Sequence, residues 1–240
     1  MKDQKPSLNT VSPGIVPPSI VPQSIVPQSL DCQVADVLRE QILKGHYPPG
    51  FRLKETNLAD QFKLSRGTIR SALQQLTYEG LITQVLHKGW TVTTLSLNDI
   101  WELHTLRTAL ESLASRLVAE TLTDEKIEML KHALAALTQA VQGGDLKKIT
   151  DADFQLHKTI VQLSDHSRLQ AQYKLIEQQI HLCIAYTDTL FPDLSVITAE
   201  HEQLVESICS GDGSLAEQTA RQHNADGKVF TRHLQMMSNE

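Results

Sequence analysis

The second half of the chain consists of long amphipathic segments separated by very short breaks, and this pattern constrains the fold most strongly. Apolar residues recur every three or four positions, as at Leu103, Leu106, Leu110, Leu113 and Leu117, which is the period of a helix with one buried face. Short connections between such helices favour an antiparallel bundle. We predict an all-helical domain at 98–236, with helices at about 98–119, 123–142, 145–164, 167–190, 194–210 and 213–236.

Residues 31–95 follow a different plan, in which helices are succeeded by strands. A first helical pattern ends near Gly45, a short helix follows at about 55–62, and a third runs from its N-cap Ser65 to about Tyr78. Two strand-like runs, 81–85 and 91–94, flank a turn at His87-Lys88-Gly89. Three helices and a hairpin predict a winged helix-turn-helix domain at 31–95. The fold class is therefore predicted to be mainly α, with this domain preceding the bundle.

The first 30 residues contain a repeated proline motif rather than a folding pattern. The unit Ile-Val-Pro-x-Ser begins at Ile15, Ile20 and Ile25. Proline at every fifth position excludes a helix and an internal strand, so we predict an extended, disordered leader at 1–30. A dispensable leader and a peptide docking segment both remain open.

Charge is distributed unevenly along the chain. The formal net charge is −6, yet residues 31–95 hold eight basic and six acidic residues, whereas 96–240 hold 12 basic and 21 acidic ones. A basic front and an acidic back suggest two domains with different partners. Three cysteines without zinc-finger spacing favour a reducing, cytoplasmic setting. The sequence contains no run of 18 apolar residues, so we predict no membrane span.

The start of the third helix carries the residues that are best suited to contact DNA. Arg66 and Arg70 lie four positions apart and share one helix face, and Thr68 adds a short hydrogen-bonding side chain nearby. Arginine at this place in a recognition helix can bond guanine O6 and N7 in the major groove. His87 and Lys88 lie at the hairpin tip, where a wing can reach phosphate or the minor groove. An ordinary solvated face is the alternative for the two arginines taken alone.

This segment resembles the DNA-binding domain of GntR-family transcriptional regulators. The resemblance covers nearly all of 31–95, and the motifs that carry it are Ile42-Leu43-x-Gly45-x-Tyr47-x-Pro49-Gly50, Leu58-Ala59, Ser65-Arg66-x-Thr68-x-Arg70-x-Ala72-Leu73 and Glu79-Gly80-Leu81. It implies DNA contacts by Arg66, Thr68 and Arg70 and by the wing residues His87, Lys88 and Gly89. The chain departs from many members, which carry Pro-Ser-Glu where it has Lys54-Glu55.

The predicted bundle contains a set of residues with metal-ligating chemistry. Asp153 and His157 are four positions apart on one helix, His201 lies on the fifth helix of the bundle, and His223 on the sixth. Three histidines and a carboxylate from three helices can bind one divalent cation and leave positions for water or a ligand. Hydrogen-bonded core histidines are the alternative that the residues alone leave open.

The same residues resemble the metal-binding pattern of the FCD ligand domain, which follows the GntR-type reader in one large subfamily. The resemblance covers about 98–235 and implies one divalent metal per chain, held by Asp153, His157, His201 and His223. Zinc or nickel is the usual occupant in the family, and the ligand set alone also admits manganese or iron. In such domains the ion commonly holds a small organic acid. Arg107 matches the family's Arg-x2-Leu-Glu element. It is expected either to clamp an effector carboxylate or to pair with Glu111.

These features predict a DNA-binding transcriptional regulator, commonly a repressor, that works as a homodimer on double-stranded operator DNA. A small carboxylate metabolite at the metal is expected to control its operator affinity. Two alternatives remain: a bundle with a purely structural metal and no effector, and a metal-dependent enzyme using the Asp/His cluster. The second lacks the His-Glu-x2-His string that would supply a general base beside the metal.

Overall fold

A computed structural model describes residues 28–85, 89–190 and 194–225. The N-terminal domain contains helices α1 (Leu30–Leu43), α2 (Glu55–Phe62) and α3 (Arg66–Tyr78). Its strands are β1 (Arg52–Leu53), β2 (Ile82–Val85) and β3 (Gly89–Val92). This is the predicted winged helix-turn-helix. The proline-rich part of the predicted leader, residues 1–27, lies outside the described residues, and α1 begins at Leu30, at the end of that predicted segment.

The wing is a three-stranded antiparallel sheet with the order β1-β3-β2. β3 pairs with β1 through Leu53 and Trp90, and with β2 from Ile82↔Val92 to Val85↔Gly89. The second hairpin strand was predicted at 91–94 and instead lies at 89–92, because Gly89 already pairs with Val85 and residues 93–96 lead into the next helix. Strand β1 was not predicted, since two residues are too few for an alternating pattern.

A compact apolar core joins the three helices of this domain to the wing. Leu38 of α1, Leu73 and Leu76 of α3 and Ile82 of β2 are all fully buried. Leu182, which belongs to a helix of the second domain, is part of the same cluster of buried side chains. The side chain of Gln179 also packs directly against Gly80. The winged domain therefore rests on the bundle through shared packing.

The described part of the second domain contains six helices, close to the predicted ranges. They are α4 (Leu97–Glu120), α5 (Asp124–Gly143), α6 (Leu146–Leu163), α7 (Ser167–Leu190), α8 (Leu194–Cys209) and α9 (Gly213–Ala225). Ser96 begins α4 with a capping box, in which its side chain accepts from the amide of Asp99 and Asp99 accepts from the backbone of Ser96. The predicted last helix extended to residue 236, and its final part lies outside the described residues. Among the described residues, no helix is long and apolar enough to span a membrane.

Helix α9 packs along α4, and α5 packs along α6, so that their apolar faces enclose one core. Leu130, Leu137, Leu156 and Tyr173 are among its fully buried side chains. Tyr173 is the polar member of this group, and its hydroxyl is hydrogen-bonded to Glu111. This core surrounds a cluster of ionisable side chains that includes Glu111, Asp153 and His157.

Two residues of α3 test how burial controls the stability of the winged domain. Leu73 is fully buried, whereas Tyr78 on the same helix is 86% exposed. We expect Leu73→Ala to lower the free energy of unfolding by about 2–5 kcal/mol, because it removes buried methyl groups and leaves a cavity. Tyr78→Ala is the matched control and should change it by less than about 0.5 kcal/mol. Hydrogen exchange of the α3 amides measures both, and equal effects of the two substitutions would contradict the packing described here.

Candidate nucleic-acid interface and metal centre

The N-terminus of α3 is held by local interactions that the sequence encodes directly. Lys63 closes α2 in a left-handed conformation, with φ of 55°, which permits a tight turn into α3. Ser65 is the N-cap of α3, and its Oγ accepts a hydrogen bond of 3.1 Å from the amide of Thr68. Its Oγ also lies 2.9 Å from the hydroxyl of Thr68. This predicted N-cap is therefore present, and it fixes the first turn of α3.

Arg66 and Arg70 project from α3 into solvent, with side chains that are 63% and 54% exposed. Both approach one carboxylate, that of Glu55 at the start of α2. Arg70 makes a bidentate pair with it, with Nε 3.1 Å from Oε1 and Nη2 2.9 Å from Oε2. Arg66 is farther away, with Nη2 3.6 Å from Oε2. Arg66 is therefore less tightly held than Arg70.

Glu55 also connects the recognition helix to the wing, a role that the sequence analysis missed. The indole Nε1 of Trp90 donates a hydrogen bond of 3.2 Å to Oε1 of Glu55. Hydrogen bonds from Arg70, with a further contribution from Trp90, lower the pKa of Glu55 to about 2, so the carboxylate stays ionised at neutral pH. The sequence indicated this role of Glu55 only through the departure at Lys54-Glu55 from the Pro-Ser-Glu motif of many family members.

Of the three predicted wing residues, Gly89 lies in the described part of the chain. Gly89 begins β3 with φ of +83°, a conformation that favours glycine, and it closes the hairpin against Val85. His87 and Lys88, which were also expected to contact DNA, lie outside the described residues.

Three imidazoles from three helices meet inside the bundle. Nε2 of His157 lies 3.3 Å from Nε2 of His201 and 3.2 Å from Nε2 of His223. Two nitrogens that each bind zinc at about 2.05 Å with a tetrahedral angle lie about 3.3 Å apart. His157 and His201 are buried, and His223 is partly buried, so these ring nitrogens face one another away from bulk water. The spacing and the donor chemistry fit one divalent cation.

The fourth expected ligand, Asp153, lies beside this cluster. Its Oδ2 is 3.2 Å from Nε2 of His201, and its Oδ1 is 3.7 Å from Nε2 of His157. Oδ1 of Asp153 and Nδ1 of His223 are buried without a hydrogen-bond partner among the described residues. A buried carboxylate oxygen without a partner is costly, and coordination of a cation would compensate for it. The structure thus brings all four predicted metal ligands together.

Burial and neighbouring charges shift the pKa values of the cluster in different directions. Desolvation lowers the pKa of His157, and lowers that of His223 well below its usual range, so both imidazoles favour the neutral form that ligates metals. Desolvation opposes ionisation of His201 as well, but the adjacent Asp153 outweighs it and raises the pKa of His201. Burial also opposes the charge on Asp153, yet His201 and its other neighbours hold the pKa of Asp153 below its ordinary value.

A second layer of side chains surrounds the histidines and centres on Glu111. Its Oε1 accepts from Nε of Arg107 at 3.0 Å and from the hydroxyl of Tyr173 at 2.9 Å. Its Oε2 accepts from Nδ2 of Asn224 at 3.0 Å and lies 2.8 Å from Nδ1 of His157. Arg107 therefore makes the pair with Glu111 that the sequence left open as one of two roles. Sequence reasoning named Glu111 only as this partner and did not find Tyr173 or Asn224, whose roles depend on tertiary contacts.

The fold and these two clusters define a transcriptional regulator with a winged DNA-binding domain followed by a helical domain. Residues 30–92 match the family model of bacterial regulatory proteins of the gntR family, and residues 102–226 match the FCD domain. The chain belongs to the GntR family and carries an FCD domain. Its GntR-type reader implies that it binds DNA.

Similar proteins agree with this assignment. The HTH-type transcriptional regulator YdhC of Bacillus subtilis is 28% identical over 80% of this chain and 86% of that protein. The gluconate operon transcriptional repressor of Bacillus licheniformis is 28% identical over 82% of this chain and 84% of that protein. These relatives are regulators, so the chain is assigned as a regulator and not as a metal-dependent enzyme.

Two solved structures share the fold. A GntR regulator from Rhodococcus sp. RHA1 aligns with a TM-score of 0.75 at 21% identity, covering 89% of this chain and all of that one. McbR/YncC of E. coli aligns with a TM-score of 0.71 at 22% identity, covering 88% of this chain and all of that one. At these identities the comparison supports the architecture of both domains.

Proposed function

We propose that this regulator is a metal-dependent repressor whose affinity for operator DNA is controlled by a small carboxylate bound at the metal. The observation that carries the proposal is the convergence of three histidine Nε2 atoms and the Asp153 carboxylate inside the FCD domain. Relatives named as gluconate operon repressors favour repression as the sense of control. Because the regulator is proposed to act on DNA, we place it in the cytoplasm. The proposed domains are the DNA-binding domain at 31–95 and the ligand-binding domain at 98–236.

We assign DNA recognition to the first turn of α3. Arg66 and Arg70 are exposed there and Thr68 is partly exposed, and the wing residues His87, Lys88 and Gly89 are proposed to contact the backbone or the minor groove. Glu55 engages Arg70 with two hydrogen bonds and leaves Arg66 at a longer distance, so Arg66 is the better placed of the two to extend toward a base. Glu55 in turn keeps Arg70 directed along one face of the helix.

Replacement of Arg66 tests this assignment. We expect Arg66→Ala to weaken binding to the preferred operator by about 1–3 kcal/mol, or roughly 5–150-fold, because a bidentate contact with guanine is lost. The operator would be selected from random DNA with the wild-type protein, and binding measured at fixed salt concentration. Arg116→Ala, an exposed arginine of α4 in the other domain, is the control and should have no effect. Unchanged operator affinity in Arg66→Ala would refute the recognition-helix role.

We propose that Asp153, His157, His201 and His223 bind one zinc or nickel ion per chain. Such an ion would supply a Lewis-acidic centre with open positions for the oxygens of an acid. The guanidinium of Arg107 is directed toward this site, with Nη2 3.8 Å from Oδ1 of Asp153, although Nε is engaged by Glu111. Arg107 would therefore add positive charge beside a carboxylate bound at the metal.

A homodimer is proposed because α4 exposes an apolar stripe. Trp101, Leu106 and Leu113 are exposed on this helix, while Leu110 and Leu117 are partly buried. Positions 106, 110, 113 and 117 follow the spacing by which one helix packs along another. Two copies joined in this way would pair two readers, as two-fold symmetric operators require.

The metal and the dimer can be measured together by native mass spectrometry. Wild-type protein loaded with zinc is expected to show two chains and two ions. His157→Ala should keep the dimer and lose the stoichiometric metal, because His157 contributes the nitrogen that lies nearest to both other histidines. His132→Ala replaces an exposed histidine of α5 and serves as the control. Retention of full metal content in His157→Ala would rule out the proposed ligand set.

Thermal shift experiments distinguish an effector-binding metal from a purely structural one. D-Gluconate, D-lactate and acetate would be tested against zinc-loaded and metal-stripped protein, with D-sorbitol as the uncharged control for gluconate. At least one acid is expected to raise the melting temperature of the loaded protein alone, since a ligand present at about 100 times its Kd stabilises the folded state by about 2.7 kcal/mol. Equal responses of loaded and stripped protein would favour a structural metal.

A further inference from the structure

Glu111 receives contacts from four helices although it lies in the interior of the bundle. Its carboxylate accepts hydrogen bonds from Arg107 on its own helix α4, from Tyr173 on α7 and from Asn224 on α9, and it lies 2.8 Å from Nδ1 of His157 on α6. The side chain is almost fully buried. A buried carboxylate requires neighbours that compensate for its lost hydration, and the guanidinium of Arg107, the hydroxyl of Tyr173 and the amide of Asn224 provide that compensation.

The contact with His157 determines which nitrogen of that imidazole can face a metal. Nδ1 of His157 lies at hydrogen-bond distance from Glu111, although the ring is turned away from the ideal direction for the bond. A carboxylate beside Nδ1 favours the tautomer that carries its proton there, which leaves the lone pair on Nε2. Nε2 of His157 is the atom that both other histidines approach, at 3.3 Å and 3.2 Å. The orientation of this one ring therefore controls the geometry of the whole cluster.

Each histidine of the cluster is positioned in a different way. Nδ1 of His201 lies 2.8 Å from the carbonyl oxygen of Ile197 one turn earlier on α8, so the backbone of its own helix orients that ring. Nδ1 of His223 has no such partner among the described residues. Its sequence neighbour Asn224, however, donates a hydrogen bond of 3.0 Å to Glu111. Glu111 thus fixes one ligand directly and holds the turn of α9 that carries another.

We propose that Glu111 is the positioning residue of the metal centre, fixing the His157 tautomer and anchoring α9 so that His157 and His223 meet. Tyr173 and Arg107 hold the carboxylate of Glu111 in the required orientation. This role rests on the proposed metal binding by Asp153, His157, His201 and His223. It adds that a residue which does not touch the ion determines how tightly the ion is held.

Metal affinity in Glu111→Gln tests the role directly. The substitution keeps the size of the side chain but removes the charge that selects the His157 tautomer. We expect its affinity for Zn²⁺, measured by competition with a chromophoric chelator, to fall about 10–100-fold. The visible absorption spectrum of bound Co²⁺ should also change, because the ligand geometry changes. Glu120→Gln, at an exposed acid of the same helix, should match the wild type in both measurements.

A second pair of variants keeps the test decisive if Glu111→Gln does not fold. Tyr173→Phe and Asn224→Ala each remove one hydrogen bond to Glu111 while its charge and its contact with His157 remain. Both should weaken Zn²⁺ binding by less than Glu111→Gln does, and Asn224→Ala should also alter the Co²⁺ spectrum through His223.

The outcomes separate this inference from the proposed function. Wild-type affinity and a wild-type Co²⁺ spectrum in folded Glu111→Gln would overturn the positioning role while leaving the metal site intact. If that variant is unfolded, wild-type behaviour of both Tyr173→Phe and Asn224→Ala would overturn it equally. A wild-type protein that binds neither ion would overturn the metal site and this role together.

Discussion

The bundle brings three imidazole nitrogens together inside a protein core, at the separation expected for ligands of one metal ion. Lone pairs that face each other at 3.2–3.3 Å repel unless a proton or a cation lies between them. Charged groups around the cluster compensate for this repulsion. Asp153 is directly adjacent to the histidines, and the Arg107–Glu111 ion pair lies farther out. Because the groups come from α4, α6, α8 and α9, any movement of one helix changes the cluster. An ion held there would thus be sensitive to the packing of most of the domain.

Glu55 plays a comparable role in the winged domain, but at the surface. One carboxylate contacts α3 through Arg70 and the wing through Trp90, so the two elements that are proposed to contact DNA are linked through the start of α2. The ionised form of Glu55 partly neutralises both arginines. Arg66 is the less restrained of the two arginines. Discrimination between DNA sequences would then depend on the binding free energy that Arg66 gains by contacting a guanine. Both domains therefore use a carboxylate to orient cationic or potentially cationic side chains.

The sequence predicted the helices well, because residues such as Leu130 and Leu137 repeat with the period of a buried helix face. It predicted the four clustered ligands only with the help of a family resemblance, since spacing along the chain does not state which helices are neighbours. Strand β1 was missed because Arg52 and Leu53 are ordered by pairing with β3, which is a tertiary effect. The contacts of Glu111 with Tyr173 and Asn224 span 62 and 113 positions. No local pattern encodes contacts at that separation.

Leu182 of α7 determines whether the winged domain can be produced as a separate fragment. Its side chain completes the apolar core of the winged domain, with Gln179 covering Gly80 nearby. A fragment that ends after the wing would lack Leu182 and Gln179 and would expose part of this apolar core to water, which favours self-association. Isolated readers of this kind are therefore poor substitutes for the full chain in biophysical work. The same contact couples the two domains, because a displacement of α7 would move Leu182 and Gln179 against the winged domain.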